Sequence, residues 1–158
     1  MESDEVNPNE PPVAMGSRDS GSFMKHMDTS FESFFYKREY TEKNFCFYMS
    51  VCARQYKSDE AMKAFRRMET MGITPSEYSY NILTLNFAKK RDIEMVMKLQ
   101  KESLEKYKLV PNKFTYNNLL VCYAKMNQPN SCENVYREMI DKGIKADAVT
   151  FTTMIDAY

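Results

Sequence analysis

Lys113-Phe-Thr-Tyr-Asn-Asn-Leu-Leu-Val-Cys-Tyr123 decides the fold, because it recurs twice in register. It returns as Glu77-Tyr-Ser-Tyr-Asn-Ile-Leu-Thr-Leu-Asn-Phe87 and as Ala148-Val-Thr-Phe-Thr-Thr-Met-Ile-Asp-Ala-Tyr158. The aromatics Tyr80, Tyr116 and Phe151 lie 36 and 35 residues apart. Self-similarity at that period means small supersecondary units stacked in a row, each burying its apolar face on a neighbour.

Working outward, three full units can be laid over one another: Glu42–Ser76, Glu77–Asn112 and Lys113–Asp147, followed by a partial unit, 148–158. Each opens with an aromatic near its start (Phe45, Tyr80, Tyr116) and continues with apolar residues at helical spacing. A polar turn follows, and Ser58, Asp92 and Asn130 are suitable N-caps for the next helix. The second helices carry one-sided apolar stripes, such as Ala61, Met62, Phe65 and Met68, or Cys132, Val135, Tyr136, Met139 and Ile140. Gly72 and Gly143 fit the left-handed position that terminates a helix. The middle unit has no such glycine, so its second helix is expected to run longer or end less cleanly. The fold class is all-α: an α-solenoid of helix-turn-helix repeats. Because the chain stops within the first helix of a fourth unit, it reads as a fragment of a longer array.

Upstream, residues 1–22 hold three prolines, two glycines and five acids, with few large apolar side chains, and read as a disordered acidic tail. From Phe23 the residues Phe23, Met24, Met27, Phe31, Phe34 and Phe35 follow spacings of three and four, predicting an amphipathic helix that ends near Tyr36–Arg38. Residues 23–41 thus form either a capping helix or the degenerate second helix of an earlier repeat. Lys+Arg and Asp+Glu each total 22, so overall charge names no polyanion partner. The balance hides an asymmetry: residues 1–35 carry seven acids against Arg18 and Lys25, leaving the remainder at +5.

Several functions lack their chemistry. With a single histidine, His26, and cysteines at 46, 52, 122 and 132 without a CxxC, no metal site and no disulfide framework are expected. No apolar run approaches membrane-spanning length, and the acidic start, Met-Glu-Ser-Asp-Glu, is the wrong composition for a transit peptide or secretory signal. There is no cluster of paired carboxylates, no His-assisted nucleophile and no phosphate-cradling glycine loop, so no catalytic residue, cofactor or small-molecule substrate is expected.

The repeat resembles the pentatricopeptide repeat family. The resemblance is carried by Thr115-Tyr-Asn-Asn-Leu-Leu and Val149-Thr-Phe-Thr-Thr-Met-Ile at helix starts. With these go Glu60-Ala-Met-Lys-Ala-Phe-Arg-Arg-Met-Glu-Thr-Met-Gly-Ile-Thr-Pro75 and Tyr136-Arg-Glu-Met-Ile-Asp-Lys-Gly-Ile-Lys145. It spans roughly residues 42–158. The 35-residue period and the Gly-Ile endings set it apart from the tetratricopeptide repeat, whose unit is ~34 residues.

The resemblance implies single-stranded RNA as partner, read about one base per repeat. The base-edge readers it implies are the residue after the aromatic and the last residue of the unit: Asn81 with Asn112, and Asn117 with Asp147. The family's pattern makes the first a pyrimidine reader and the second a uracil reader. Cys46 with Ser76 departs from the usual pairs, and Thr152 lacks its partner. Base-stacking side chains fall at Tyr78, Phe114 and Val149, with Lys43 departing from the pattern, and phosphate contacts at Arg54, Lys89 and Lys125. Read without the family, Asn81 and Asn117 fit polar first-turn residues. Tyr78 and Phe114 fit packing between hairpins, and the three cations fit the negative ends of their helices. A second role implied by the family is a structural subunit of an organellar ribonucleoprotein such as the mitochondrial ribosome, docking on protein subunits. Mitochondrial location is implied by the family alone.

Overall fold

The computed structural model describes residues 30–158. The predicted tail, and Phe23, Met24 and Met27 of the predicted N-terminal helix, lie outside the described residues. Eight helices follow: α1 (Phe31–Phe35), α2 (Glu42–Arg54), α3 (Ser58–Thr70), α4 (Glu77–Lys89), α5 (Ile93–Tyr107), α6 (Lys113–Lys125), α7 (Pro129–Asp141) and α8 (Ala148–Ile155). No strand occurs among the described residues. The first helices α2, α4, α6 and α8 stack in one row. The second helices α3, α5 and α7 lean against their own first helix and that of the next unit.

Burial explains the stacking. Phe45, Met49, Phe65, Met68 and Leu83 are wholly buried along the seam between the first two hairpins, and Leu120, Cys132 and Met139 fill a second cluster within the third hairpin, joined by Ala157. Burying each such side chain fully is worth ~1.5–3 kcal/mol. The cysteines belong to this core: burial pushes the Cys46 thiol up to about 12 and those of Cys52 and Cys122 up to about 11. They therefore stay protonated at neutral pH, as small core residues do. At the N-terminal end, α1 covers unit one with Phe34 and Phe35, both buried. The Phe35 ring lies 4.8 Å from that of Phe45, and Arg67 of α3 holds α1 in place by pairing with Glu32 at 3.0 Å and covering the Phe31 ring at 4.5 Å.

Each hairpin turn is three residues long, and its middle residue is left-handed: Tyr56 (φ 58°), Arg91 (φ 66°) and Asn127 (φ 59°). The third residue's N–H then returns to the helix it has just left, Lys57 to Cys52 O, Asp92 to Phe87 O and Gln128 to Tyr123 O, each at 3.0 Å. This is the Schellman closure, which satisfies carbonyls orphaned at a helix end. It also fixes where the next helix starts, and so corrects two expectations. The N-caps of α3 and α7 are Lys57 and Gln128, neither making a side-chain cap bond, rather than Ser58 and Asn130. Ser58 lies inside the helix, buried, with its Oγ unpartnered. Only in the middle unit does a capping residue fall on the fixed position, where Asp92 accepts from Met95 N at 3.0 Å. Pro129 sits at the first helical position, where its missing N–H costs nothing.

Gly72 and Gly143 close α3 and α7 at φ 76° and 73°. In the middle unit Lys108 takes that conformation instead (φ 58°), and α5 extends to 15 residues where α3 and α7 have 13.

A polar network locks units one and two together from outside. Arg66 grips Glu102 through two bonds of 2.5 and 2.8 Å, Glu102 also accepts from the Tyr80 hydroxyl, and Glu69 accepts from Lys106 Nζ and the Tyr107 hydroxyl at 2.7 and 2.6 Å. One unit later the tyrosine–glutamate bond repeats, with the Tyr116 hydroxyl donating to Glu138 at 3.0 Å. The Arg66 bonds hold the Glu102 carboxyl below its ordinary value. Burial works against the Glu69 carboxylate, but its three donors outweigh it and lower that carboxyl too.

Two outcomes follow for stability. No side chain crowds Gly72, so Gly72→Ala is expected to cost ~1–2 kcal/mol from backbone strain alone, while Arg91→Gly relieves the same strain; urea midpoints read both. Because the folded carboxyls of Glu69 and Glu102 titrate below the ordinary 4.5, their contribution is fully present above that pH. It is lost as pH falls through the lowered folded values. Thermal midpoints should decline below about pH 4.5, and Glu102→Gln should make the decline shallower.

Candidate nucleic-acid interface

The second residue of each first helix points away from the core. Tyr78 is 65% exposed, Phe114 59% and Val149 56%, so none of them packs between hairpins, and Lys43 is exposed as well. Between Tyr78 and Phe114 lies a groove of about 310 Å³, also lined by Glu77, Asn81, Ile82, Leu85, Asn112 and Asn118. That volume is at the low end of small-molecule sites, ~300–1,000 Å³.

Polar pairs sit beside these aromatics. Asn81 Nδ2 donates to Asn112 Oδ1 at 3.4 Å, and Asn117 Nδ2 to Asp147 Oδ1 at 3.5 Å, so residues 31 and 30 positions apart meet at successive seams. The reason is capping. Ser76, Asn112 and Asp147, the last residues of their units, are the N-caps of α4, α6 and α8. Asn112 Oδ1 accepts from Phe114 N and Thr115 N at 3.0 and 3.2 Å; Asp147 Oδ1 accepts from Thr150 N at 3.0 Å. A cap on one helix is thereby placed next to the first turn of the helix before it.

Two sets of residues here escaped sequence reasoning. Thr115 and Thr150 complete capping boxes by accepting from the Asn112 and Asp147 backbone N–H groups. Their hydroxyls also donate to Asn81 Oδ1 at 3.3 Å and to Asn117 Oδ1 at 2.7 Å, orienting both amides. The signal was present as Ser76-x-x-Ser79, Asn112-x-x-Thr115 and Asp147-x-x-Thr150. The other set is Glu77 and Lys113, whose side chains reach Asn112 and Asp147 at 2.8 and 2.9 Å. The Lys113 ammonium, with the Thr150 donors, holds the Asp147 carboxyl well below the usual carboxylate range, so it acts as an acceptor only.

Other expected site residues stand apart. Thr152 is exposed, and its hydroxyl bonds back to Ala148 O within its own helix. Cys46 is buried, so the first unit presents no polar reader at that position. Arg54, Lys89 and Lys125 are the last residues of α2, α4 and α6, with Arg54 exposed and the two lysines half-buried. At 1.5 Å per residue, each lies roughly 12 Å along its helix from the reader position, on the same element. No cluster of three or more metal-ligating side chains occurs among the described residues, and no helix there is long and apolar enough to cross a membrane.

Hairpins of about 35 residues, first helices in one row and a capped polar pair at successive seams define an α-solenoid repeat protein. Family models described as "Pentatricopeptide repeat domain" and "PPR repeat family" match residues 44–86 and 111–158, together more than half of the chain. The chain belongs to the pentatricopeptide repeat family. Among curated proteins it is 27% identical over 100 residues to the small ribosomal subunit protein mL103 of Arabidopsis thaliana, covering 63% of this chain. It is also 28% identical over 98 residues to a mitochondrial pentatricopeptide repeat-containing protein of the same plant, covering 61%. The chain spans about a quarter of the length of these relatives, 24 and 23%. Among solved structures, the pentatricopeptide repeat protein PPR10 from maize superposes with a TM-score of 0.65 at 21% identity, over 77% of this chain and 17% of that one. The nuclear proteinaceous RNase P 2 of A. thaliana superposes at 0.56 and 19% identity, over 77% and 28%. Both likenesses establish the solenoid fold.

The threonine bonds are testable. Thr150→Val leaves the nearly buried Asn117 Oδ1 without its 2.7 Å donor and opens the α8 capping box. Urea unfolding is expected to register a loss of ~1–2 kcal/mol, with helix content retained.

Proposed function

We propose that this chain binds single-stranded RNA along its row of first helices, as part of an organellar RNA-metabolism or translation protein. One observation carries the reading: the groove between the exposed rings of Tyr78 and Phe114, beside the hydrogen-bonded pair Asn81 and Asn112. A base entering it would stack on the aromatics, and its Watson–Crick edge would meet the amides. The next site would use Phe114, Val149, Asn117 and Asp147, and a pyrimidine preference follows from the family's pattern. Arg54, Lys89 and Lys125 would follow the phosphates, and Thr152 would begin a further site. The role is binding rather than catalysis, and mitochondrial location draws support from the mitochondrial relative.

Fluorescence anisotropy with short pyrimidine-rich RNAs tests this. Tyr78→Ala or Phe114→Ala is expected to cost ~1–3 kcal/mol of binding. Alanine at Asn81, Asn112, Asn117 and Asp147 together should abolish base preference while weak binding persists. Lys89→Ala should lower the salt slope by ~0.7, the share of one phosphate on a single strand. Absence of any salt-dependent binding would sink the reading.

A second role draws on the similarity to mL103: a structural subunit of a mitochondrial ribonucleoprotein, held mainly by protein contacts. Co-sedimentation with ribosomal small subunits by a quadruple-alanine variant that has lost base preference would favour it.

A further inference from the structure

The first residue of each unit touches the last residue of the same unit, and at the two candidate reading seams it carries opposite charge. In unit two, Asn112 Nδ2 donates to Glu77 Oε2 at 2.8 Å. In unit three, Lys113 Nζ pairs with Asp147 Oδ2 at 2.9 Å and lies 5.4 Å from the centre of the Phe114 ring. In unit one the contact survives through the backbone, with Ser76 N donating to Glu42 Oε1 at 3.0 Å.

The bonds leave specific capacity free. Asn112 Oδ1 is consumed by the α6 cap, and one Nδ2 hydrogen is taken by Glu77, so one N–H donor remains beside a carboxylate that also lines the groove. Asp147 Oδ1 is consumed by the α8 cap, while Oδ2 keeps a lone pair beside an ammonium with donors to spare. Unit two thus presents donor plus anion, and unit three acceptor plus cation.

We infer that Glu77 and Lys113 are further specificity-determining residues that sort the pyrimidines, Glu77 selecting cytosine at unit two and Lys113 selecting uracil at unit three. The inference rests on the RNA-reading role proposed above. Cytosine offers its N4 amino group to Glu77 and its N3 acceptor to Asn112; uracil in that place sets O4 against the carboxylate. Uracil offers O4 to Lys113 and N3–H to Asp147; cytosine there sets its amino group against the ammonium and N3 against the carboxylate. Each seam therefore attracts one pyrimidine and repels the other, which is how discrimination is built.

The test is a charge exchange, Glu77→Lys with Lys113→Glu, which leaves net charge unchanged and so cancels general phosphate attraction. Anisotropy is measured on adenine-flanked hexanucleotides carrying CU, UC, CC or UU at the centre. Wild type should prefer one order of C and U over the other by roughly tenfold, and the exchanged variant should invert that order. The single variants Glu77→Gln and Lys113→Gln should each weaken the order without loss of helix content, which keeps the test alive should the exchange disturb folding. A wild type that discriminates while both the exchange and the single variants keep its order overturns the assignment and leaves base reading by the amides intact. A wild type that binds all four RNAs equally, or none, overturns base reading itself.

Discussion

The N-cap bond at the end of each unit is the constraint on which the candidate site depends. Ser76, Asn112 and Asp147 take extended backbone and turn a side-chain oxygen onto the next helix's free N–H groups. That bond starts the helix, fixes the register of the aromatic four residues further on, and delivers a polar group to the seam. Apolar burial supplies most of the stability of the stack, but it is indifferent to which polar atoms face outward. The caps decide that. Substitution there alters helix initiation and surface chemistry together, so stability and recognition are coupled at these positions.

Much of the architecture was legible in the sequence because it repeats. The first helices begin at Glu42, Glu77, Lys113 and Ala148, where the period places them, and Gly72 and Gly143 sit at the left-handed positions. The absence of glycine in the middle unit announced the longer α5. The caps Ser58 and Asn130 were misplaced for a geometric reason: propensity named good capping residues, while a three-residue Schellman turn had already fixed the cap at Lys57 and Gln128. Local preference lost to closure of the turn.

The pairing of Asn81 with Asn112 and of Asn117 with Asp147 came from the family pattern, and the structure supplies its geometry. Thr115 and Thr150 were missed because a threonine in a helix's first turn draws no notice until its hydroxyl is seen bonding backward to the previous unit. Glu77 and Lys113 were missed for another reason. Charges at a helix start read as dipole partners or solvated surface, and a contact across an entire unit leaves no local trace.

The Arg66–Glu102 grip between units one and two has a mechanical side. Those units are joined by Arg66, Lys106 and Lys90 reaching Glu102, Glu69 and Asp59, and by Asn86 donating to Met49 O. Among the described residues no ion pair crosses from unit two to unit three, where Asn118 to Asn81 O and Gln100 to Thr115 O span the seam. A solenoid is a spring whose stiffness is set joint by joint. This one has an ion-paired joint followed by one held by apolar packing and neutral hydrogen bonds, and the second opens onto the groove between Tyr78 and Phe114. The spacing of the two rings is therefore set by neutral contacts that salt does not screen, whereas the first joint carries charges that it does.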